Sequence, residues 1–392
     1  MNEYLKILKE ISANDEIEYT ISKITKSKKL NLLQLYILKS NSDLIKDFLK
    51  KNIHLFKDEI NFQNERGWTA LMMASKNSNI YSNNETVKLL LENGADPNLQ
   101  NNNGNTALMM ACRVSNTNSN NETVKLLLEN GADPNLQNYD GWTALMMACN
   151  YSNTDSNNET VKLLLEKGAD PNLQQEYGYT ALMLVCDNSN MGSNNETVKL
   201  LLENGANPNI QDETGWTALM LSCINSNNKT VKLLLEYKAD VNLKENIGYT
   251  ALMLSCMQIY TSSNNKTVKL LLNVDDIDVN IISNDTKFNA LMLLCQDNSN
   301  QHGIAKLLKS KTDLNHRNYQ NKKIEDICLG EYKYLFSNTL EDFLQKHETI
   351  KSECFLCNEE EIDCIKCEFD HFTCFNCLPK VKYNCEACRK PI

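Results

Sequence analysis

Between residues 67 and 320 the apolar positions recur in blocks. The run G-W-T-A-L-M-M-A begins at Gly67, returns from Gly104 as G-N-T-A-L-M-M-A, and recurs at Gly141, Gly178, Gly215 and Gly248. Four of these steps are 37 residues long and one, Gly215 to Gly248, is 33. A worn copy has Lys287 in the glycine position, followed by F-N-A-L-M-L-L-C. A second block, T-V-K-L-L-L-E-x-G-A-[DN]-P-N, follows the copies from Gly67 to Gly178, as at 86–98 and 197–209, and returns in altered form after Gly215 and Gly248.

Each unit reads as helix, turn, helix and hairpin. The T-A-L-M run is a short helix with a face of Ala, Leu and a small Cys or Ala, and V-K-L-L-L-E carries the apolar spacing of a second. Asn84, Asn121, Asn158 and Asn195 precede that second helix as its expected N-caps. Gly94, Gly131, Gly168 and Gly205 fall where it must stop, as expected of a left-handed residue past a helix end. Four units carry four extra residues between the helices, rich in Asn and Ser, as in 115–121, which lengthen a loop without breaking a stack.

This pattern resembles the ankyrin repeat: a period near 33 residues, a T-x-L-x-x-A/C helix, V-K-L-L-L-E-x-G-A-D-x-N and a glycine-bearing turn. The resemblance covers residues 30 to 340, with eroded units at 30–61 and 321–347 that suit the capping ends of a stack. One departure is T-A-L-M where the family has T-P-L-H. It implies a protein-binding array without catalytic machinery.

The residue after the turn glycine is Trp68, Asn105, Trp142, Tyr179, Trp216, Tyr249 and, in the worn unit, Phe288. Trp68, Trp142, Tyr179, Trp216 and Tyr249 are candidates for anchoring a partner protein. Packing of each ring on the neighbouring hairpin is the alternative. The more variable tips Glu65-Arg66, Tyr139-Asp140 and Asp212-Glu213 are candidates for discriminating between partners. Cys112, Cys149, Cys186, Cys223, Cys256 and Cys295 share one helical position and read as small buried side chains, and the Met pairs as core filler. His54, His302, His316 and His347 stand alone and support no site.

Charge and composition narrow the setting. A formal charge of −10 argues against general nucleic-acid binding. No run of eighteen apolar residues exists, and the charged start MNEYLKILKE lacks the apolar core of a secretion signal. An intracellular, cytoplasmic protein is expected, whose cysteines are free or metal-bound.

The last 39 residues concentrate eight of the fifteen cysteines. They supply nine potential ligands: Cys354, Cys357, Cys364, Cys367, His371, Cys374, Cys377, Cys385 and Cys388. Paired C-x2-C steps bring two thiolates of one turn to one ion, the need of tetrahedral zinc. Omitting Cys364 gives a C3HC4 order; omitting Cys377 gives C4HC3, with a short first spacing and no aromatic before the last pair.

The first order resembles the RING finger and the second the PHD finger, with RING favoured by its intervals. The RING resemblance implies two structural zinc ions. Cys354, Cys357, Cys374 and Cys377 would hold one; Cys367, His371, Cys385 and Cys388 the other; Cys364 would be spare. It also implies contact with a ubiquitin-conjugating enzyme through Leu356, Leu378 and the linchpin Arg389, with no residue covalently loaded with ubiquitin. Glu386 departs from the proline usual after the seventh ligand.

The expected architecture is an all-α repeat solenoid with a small C-terminal zinc-stabilised RING-like domain. It divides into an N-terminal helical extension (1–29), an array of seven to eight units (30–340), a helical linker (341–350) and the zinc finger (351–392). The expected function is substrate reception for a RING-type ubiquitin ligase; a non-enzymatic ankyrin adaptor with a structural zinc knot is the alternative. The Asn-rich inserts and the layout are similar to ankyrin families of giant DNA viruses, which would place the protein and its partners in a host cytoplasm, and to eukaryotic ankyrin–RING ligases.

Overall fold

The structure is a computed structural model that describes Leu33, Gln34, Ile37, Lys50 and residues 53–76, 84–113, 118–150, 155–188, 194–257, 262–296, 302–328, 349–352, 362–366 and 372–374. It forms two compact units, Met1–Asp212 and Glu213–Ile392.

In the first unit a 3-10 turn at Ile53–Glu59 precedes four helix pairs. They are α1 (Ala70–Lys76) with α2 (Asn84–Glu92), α3 (Ala107–Arg113) with α4 (Asn118–Glu129), α5 (Ala144–Asn150) with α6 (Asp155–Glu166), and α7 (Ala181–Asp187) with α8 (Asn194–Glu203). The second unit holds α9 (Ala218–Ile224), α10 (Asn228–Glu236), α11 (Ala251–Met257), α12 (Ser262–Leu272), α13 (Ala290–Cys295), α14 (His302–Lys309) and α15 (Ile324–Ile327). Three short strands follow: β1 (Thr349–Ser352), β2 (Ile362–Lys366) and β3 (Phe372–Cys374), joined antiparallel in that order. β1 opens inside the stretch expected as a helical linker, where β-branched Thr349 and Ile350 favour extended backbone.

The first helix of each pair is short because it is buried almost all round. From Ala107 to Cys112 no side chain of α3 exceeds 5% exposure, and α3 packs against α1, α5 and α4. Burying one such leucine stabilises by about 1.5–3 kcal/mol. The threonine that opens each repeat caps this helix: Thr69, Thr106, Thr143, Thr180, Thr217 and Thr250 accept, at Oγ1, the amide N–H three residues on, and Asn289 does so in the worn unit.

The second helices bury one face only. In α2, Thr86, Val87, Leu90 and Leu91 are inside while Glu85, Lys88 and Glu92 are exposed. Gly94 ends this helix at φ 87°, its N–H donating to the Leu91 carbonyl and that of Ala95 to Leu90, the pair of bonds that turns a chain off a helix. In the 33-residue repeat Lys238 takes the same place at φ 59°, against its Cβ.

In α4 and α6 the Asn-rich insert enters the second helix instead of only lengthening a loop. α4 and α6 have 12 residues, whereas α10, which has no insert, has 9. The expected N-caps Asn84, Asn121 and Asn158 accordingly lie within helices. Their side-chain oxygens accept hydroxyl bonds from Thr123, Thr160 and Thr197 of the following repeat, and Asn228 accepts one from Thr267. In α10, which has no insert, the cap is Asn227, one residue before Asn228, and it accepts the Thr230 N–H.

Two further ladders tie repeats together. Asn61 donates to the Gly94 carbonyl and accepts from the Asp96 N–H; Asn98, Asn135 and Asn172 repeat this pair of bonds one unit on each. Gln63 donates both to the carbonyl of its own turn residue Gly67 and to that of Gln100, and Gln100, Gln137 and Gln174 continue the pattern to Gln211. In the second unit Asn242 bonds the Asp276 carbonyl and the Asp278 N–H.

Candidate protein-interaction surface and C-terminal module

The hairpins that follow the second helices carry the candidate binding positions. Each is closed by an amide bond to the carbonyl of the aromatic register, as from Asn64 N–H to Trp68 and from Asn138 N–H to Trp142. The side chain of the residue at the start does the rest: the Asn64 oxygen accepts from the N–H groups of Arg66 and Trp68, and Glu245 accepts those of Ile247 and Tyr249.

Successive tips bond directly, with the N–H of Asn102 on the Arg66 carbonyl, that of Tyr139 on Asn103 and that of Glu176 on Asp140. This stacking explains the turn glycine. Gly104 has φ 77°, and a Cβ there would lie 2.6 Å from the Tyr139 backbone nitrogen. Lys287 adopts the same left-handed backbone at φ 56°.

The aromatic register is a half-buried row. Trp68, Trp142, Tyr179, Trp216 and Tyr249 are partly covered, and Phe288 is buried. The Lys76 ammonium stands 5.2 Å from the Trp68 ring centre, a cation–π contact. Burial raises the Tyr179 hydroxyl above its usual pKa, helped by Asp187 and Asp212; burial, then Asp285, does the same at Tyr249. These rings serve the hairpin as much as the surface.

The outermost positions are the residues just before the turn. Tyr139 is 73% and Tyr177 64% exposed, the two most exposed large apolar side chains among the described residues. Tyr177 is absent from the sequence-based candidates because only its place beside the invariant turn, not its residue type, marks it. Asp212, expected at an exposed tip, is buried, in the hairpin-closing position of Asn64, while Glu213 is exposed.

The six repeated cysteines and Cys328 are buried and form no disulfide among the described residues. Burial pushes the Cys256 thiol up to about 12 and raises Cys112 and Cys149 as well, so none is a ready nucleophile. Met72, Met109 and Met146 are core side chains, while Met147 is half-buried. His316 bonds the Lys287 carbonyl through Nε2.

In the C-terminal module the backbone of β2 and β3 is described, with Cys364 opposite Cys374 and the ladder ending at Lys366 opposite Phe372. Cys354, Cys357, Cys367, His371, Cys377, Cys385 and Cys388 lie outside the described residues, as do Leu356, Leu378 and Arg389. The 1–29 extension lies outside them too, and no helix among the described residues is long and apolar enough to cross a membrane.

A stack of helix pairs joined by bonded hairpins, with buried thiols and an exposed variable edge, is a repeat scaffold for binding proteins. The family profile described as ankyrin repeats (3 copies) matches over residues 2–101, 32–138, 80–175, 114–212, 153–245 and 189–282, and the chain belongs to the ankyrin-repeat family.

It is similar to ankyrin repeat proteins of Acanthamoeba polyphaga mimivirus. Protein L86 is 49% identical over 77 residues, 19% of this chain and 13% of that protein. Protein L289 is 64% identical over 50 residues, 13% and 8% respectively, and L91 is 41% identical over 85 residues, 20% and 13%. The matches thus span only a small part of those relatives' length. Among solved structures, the ankyrin repeat domain of Bcl-3, a member of the IkappaB protein family, superposes with a TM-score of 0.50 at 28% identity, covering 62% of this chain and 98% of that domain.

Proposed function

We propose that the array is the substrate receptor of a RING-type ubiquitin ligase whose C-terminal module recruits a charged ubiquitin-conjugating enzyme. The observation that carries this reading is the ligand order from Cys354 to Cys388, ending in Arg389. The β2–β3 hairpin supports it: its last ladder pair, Lys366 and Phe372, is followed and preceded by Cys367 and His371, the third and fourth ligands of the C3HC4 order. Thiolate and imidazole donors suit zinc.

Cys354, Cys357, Cys374 and Cys377 would hold one ion, and Cys367, His371, Cys385 and Cys388 the second. Zinc bound there would organise a segment too short to build its own core. Leu356 and Leu378 would offer apolar contact to the conjugating enzyme. The Arg389 guanidinium has enough donors to bond enzyme and ubiquitin together, holding the thioester in its reactive pose. Ubiquitin would pass directly to a substrate lysine, since in the module only Cys364 is left without a ligand role and the array's cysteines are buried. Partners on the array and in the module are proteins, met in a host cytoplasm if the protein is viral like its relatives.

An autoubiquitination assay across a panel of conjugating enzymes tests this. The wild type forms chains and Arg389→Ala loses most of that activity. No chains from a zinc-loaded wild type would leave the adaptor reading.

A further inference from the structure

The two most exposed aromatic side chains described, Tyr139 and Tyr177, sit on adjacent hairpin tips of the first unit. The Glu176 N–H to Asp140 carbonyl bond, 2.9 Å, fixes one tip on the next. The exposed residues there are Tyr139, Asp140, Glu176 and Tyr177, with no basic side chain in 138–142 or 175–179. Asp187 and Asp212 also act on neighbouring Tyr179. The wider charge agrees: residues 53–212 hold nine Lys and Arg against nineteen Asp and Glu, a formal −10, whereas 213–328 hold thirteen against twelve, +1.

We propose that the tips Tyr139-Asp140 and Glu176-Tyr177 form the anchor site for a lysine- and arginine-rich segment of a partner protein. The proposal rests on the array being a protein receptor and names its partner class. Exposed phenol rings offer faces that attract ammonium and guanidinium groups. The two carboxylates supply the opposite charge, and the net −10 of residues 53–212 draws a cationic segment in at long range. Tyrosine loses little conformational freedom on binding, because only two side-chain torsions are fixed. The tips themselves are held by main-chain bonds, so the rings can change without disturbing the hairpins.

The test selects randomised twelve-residue displayed peptides on the full-length chain, then measures each against Tyr139→Ser/Tyr177→Ser. The enriched peptides should carry a clear positive charge and bind the double variant about tenfold more weakly. They should also weaken as salt rises from about 50 to about 300 mM. An unchanged circular-dichroism melt shows that the variant is folded. Enriched peptides that are neutral or acidic, or that bind the variant equally well, overturn the site while leaving the receptor reading intact. Failure to enrich any peptide overturns both. Loss of ubiquitin transfer with peptide binding retained would sink the ligase reading alone.

Discussion

The array and, on the zinc-bound reading proposed for it, the C-terminal module would reach order by opposite routes. In the first unit the repeats bury most of each first helix and are joined by three ladders of side-chain bonds, so stability is distributed over many similar interfaces. The module shows three short strands and a string of thiols and one imidazole, with far fewer residues over which to spread a core. Distributed burial tolerates worn copies such as the one at Lys287. A ligand set does not, because removing one donor removes a whole site.

The largest effect expected on this contrast is metal removal. A strong chelator should unfold the module, since structural zinc contributes about 10–16 kcal/mol of apparent folding free energy in small zinc domains. Limited proteolysis should then cut within 351–392 while the helical signal of the array persists; simultaneous loss of both would break the comparison. Next comes the core: Leu127→Ala, at a fully buried position, should cost about 2–5 kcal/mol by urea unfolding and leave zinc content unchanged.

Alkaline pH should follow. A thiol raised in the fold, as Cys256 is to about 12, favours the folded state fully below its unfolded pKa, and that contribution is lost as pH rises through the folded value. The melting temperature should therefore hold to about pH 8 and fall between about 9 and 12; in Cys256→Ala the Cys256 share of that fall should vanish. Asn98→Ala removes both bonds of one ladder rung and should cost about 1–2 kcal/mol. The smallest change is a gain: Lys238→Gly relieves a left-handed backbone and should stabilise by about 1 kcal/mol, and a loss would mean that its side-chain contacts outweigh the strain.

Periodicity made most of the array readable. The helix pairs, the left-handed glycines, the buried cysteines and the left-handed backbone at Lys287 all follow from local chemistry repeated at a fixed step. What escaped depends on the next repeat. Asn84 looked like a cap because its type and local position fit, yet its oxygen is taken by Thr123, 39 residues on. Asp212 looked like a tip residue because polarity alone does not distinguish a buried carboxylate in the hairpin-closing position from a solvated one. Tyr177 was hidden among residues that vary. In the module the spacing of the cysteines and His371 is legible, and which of them would be spare in the proposed zinc sites depends on three-dimensional closure.

The most direct measurement is the zinc count of the full-length chain by native mass spectrometry. Two ions in the wild type, with loss of the second-site ion in Cys367→Ser and full retention in Cys364→Ser, is the predicted result. A single ion, or two ions retained in Cys367→Ser, would contradict the two-site assignment of the module.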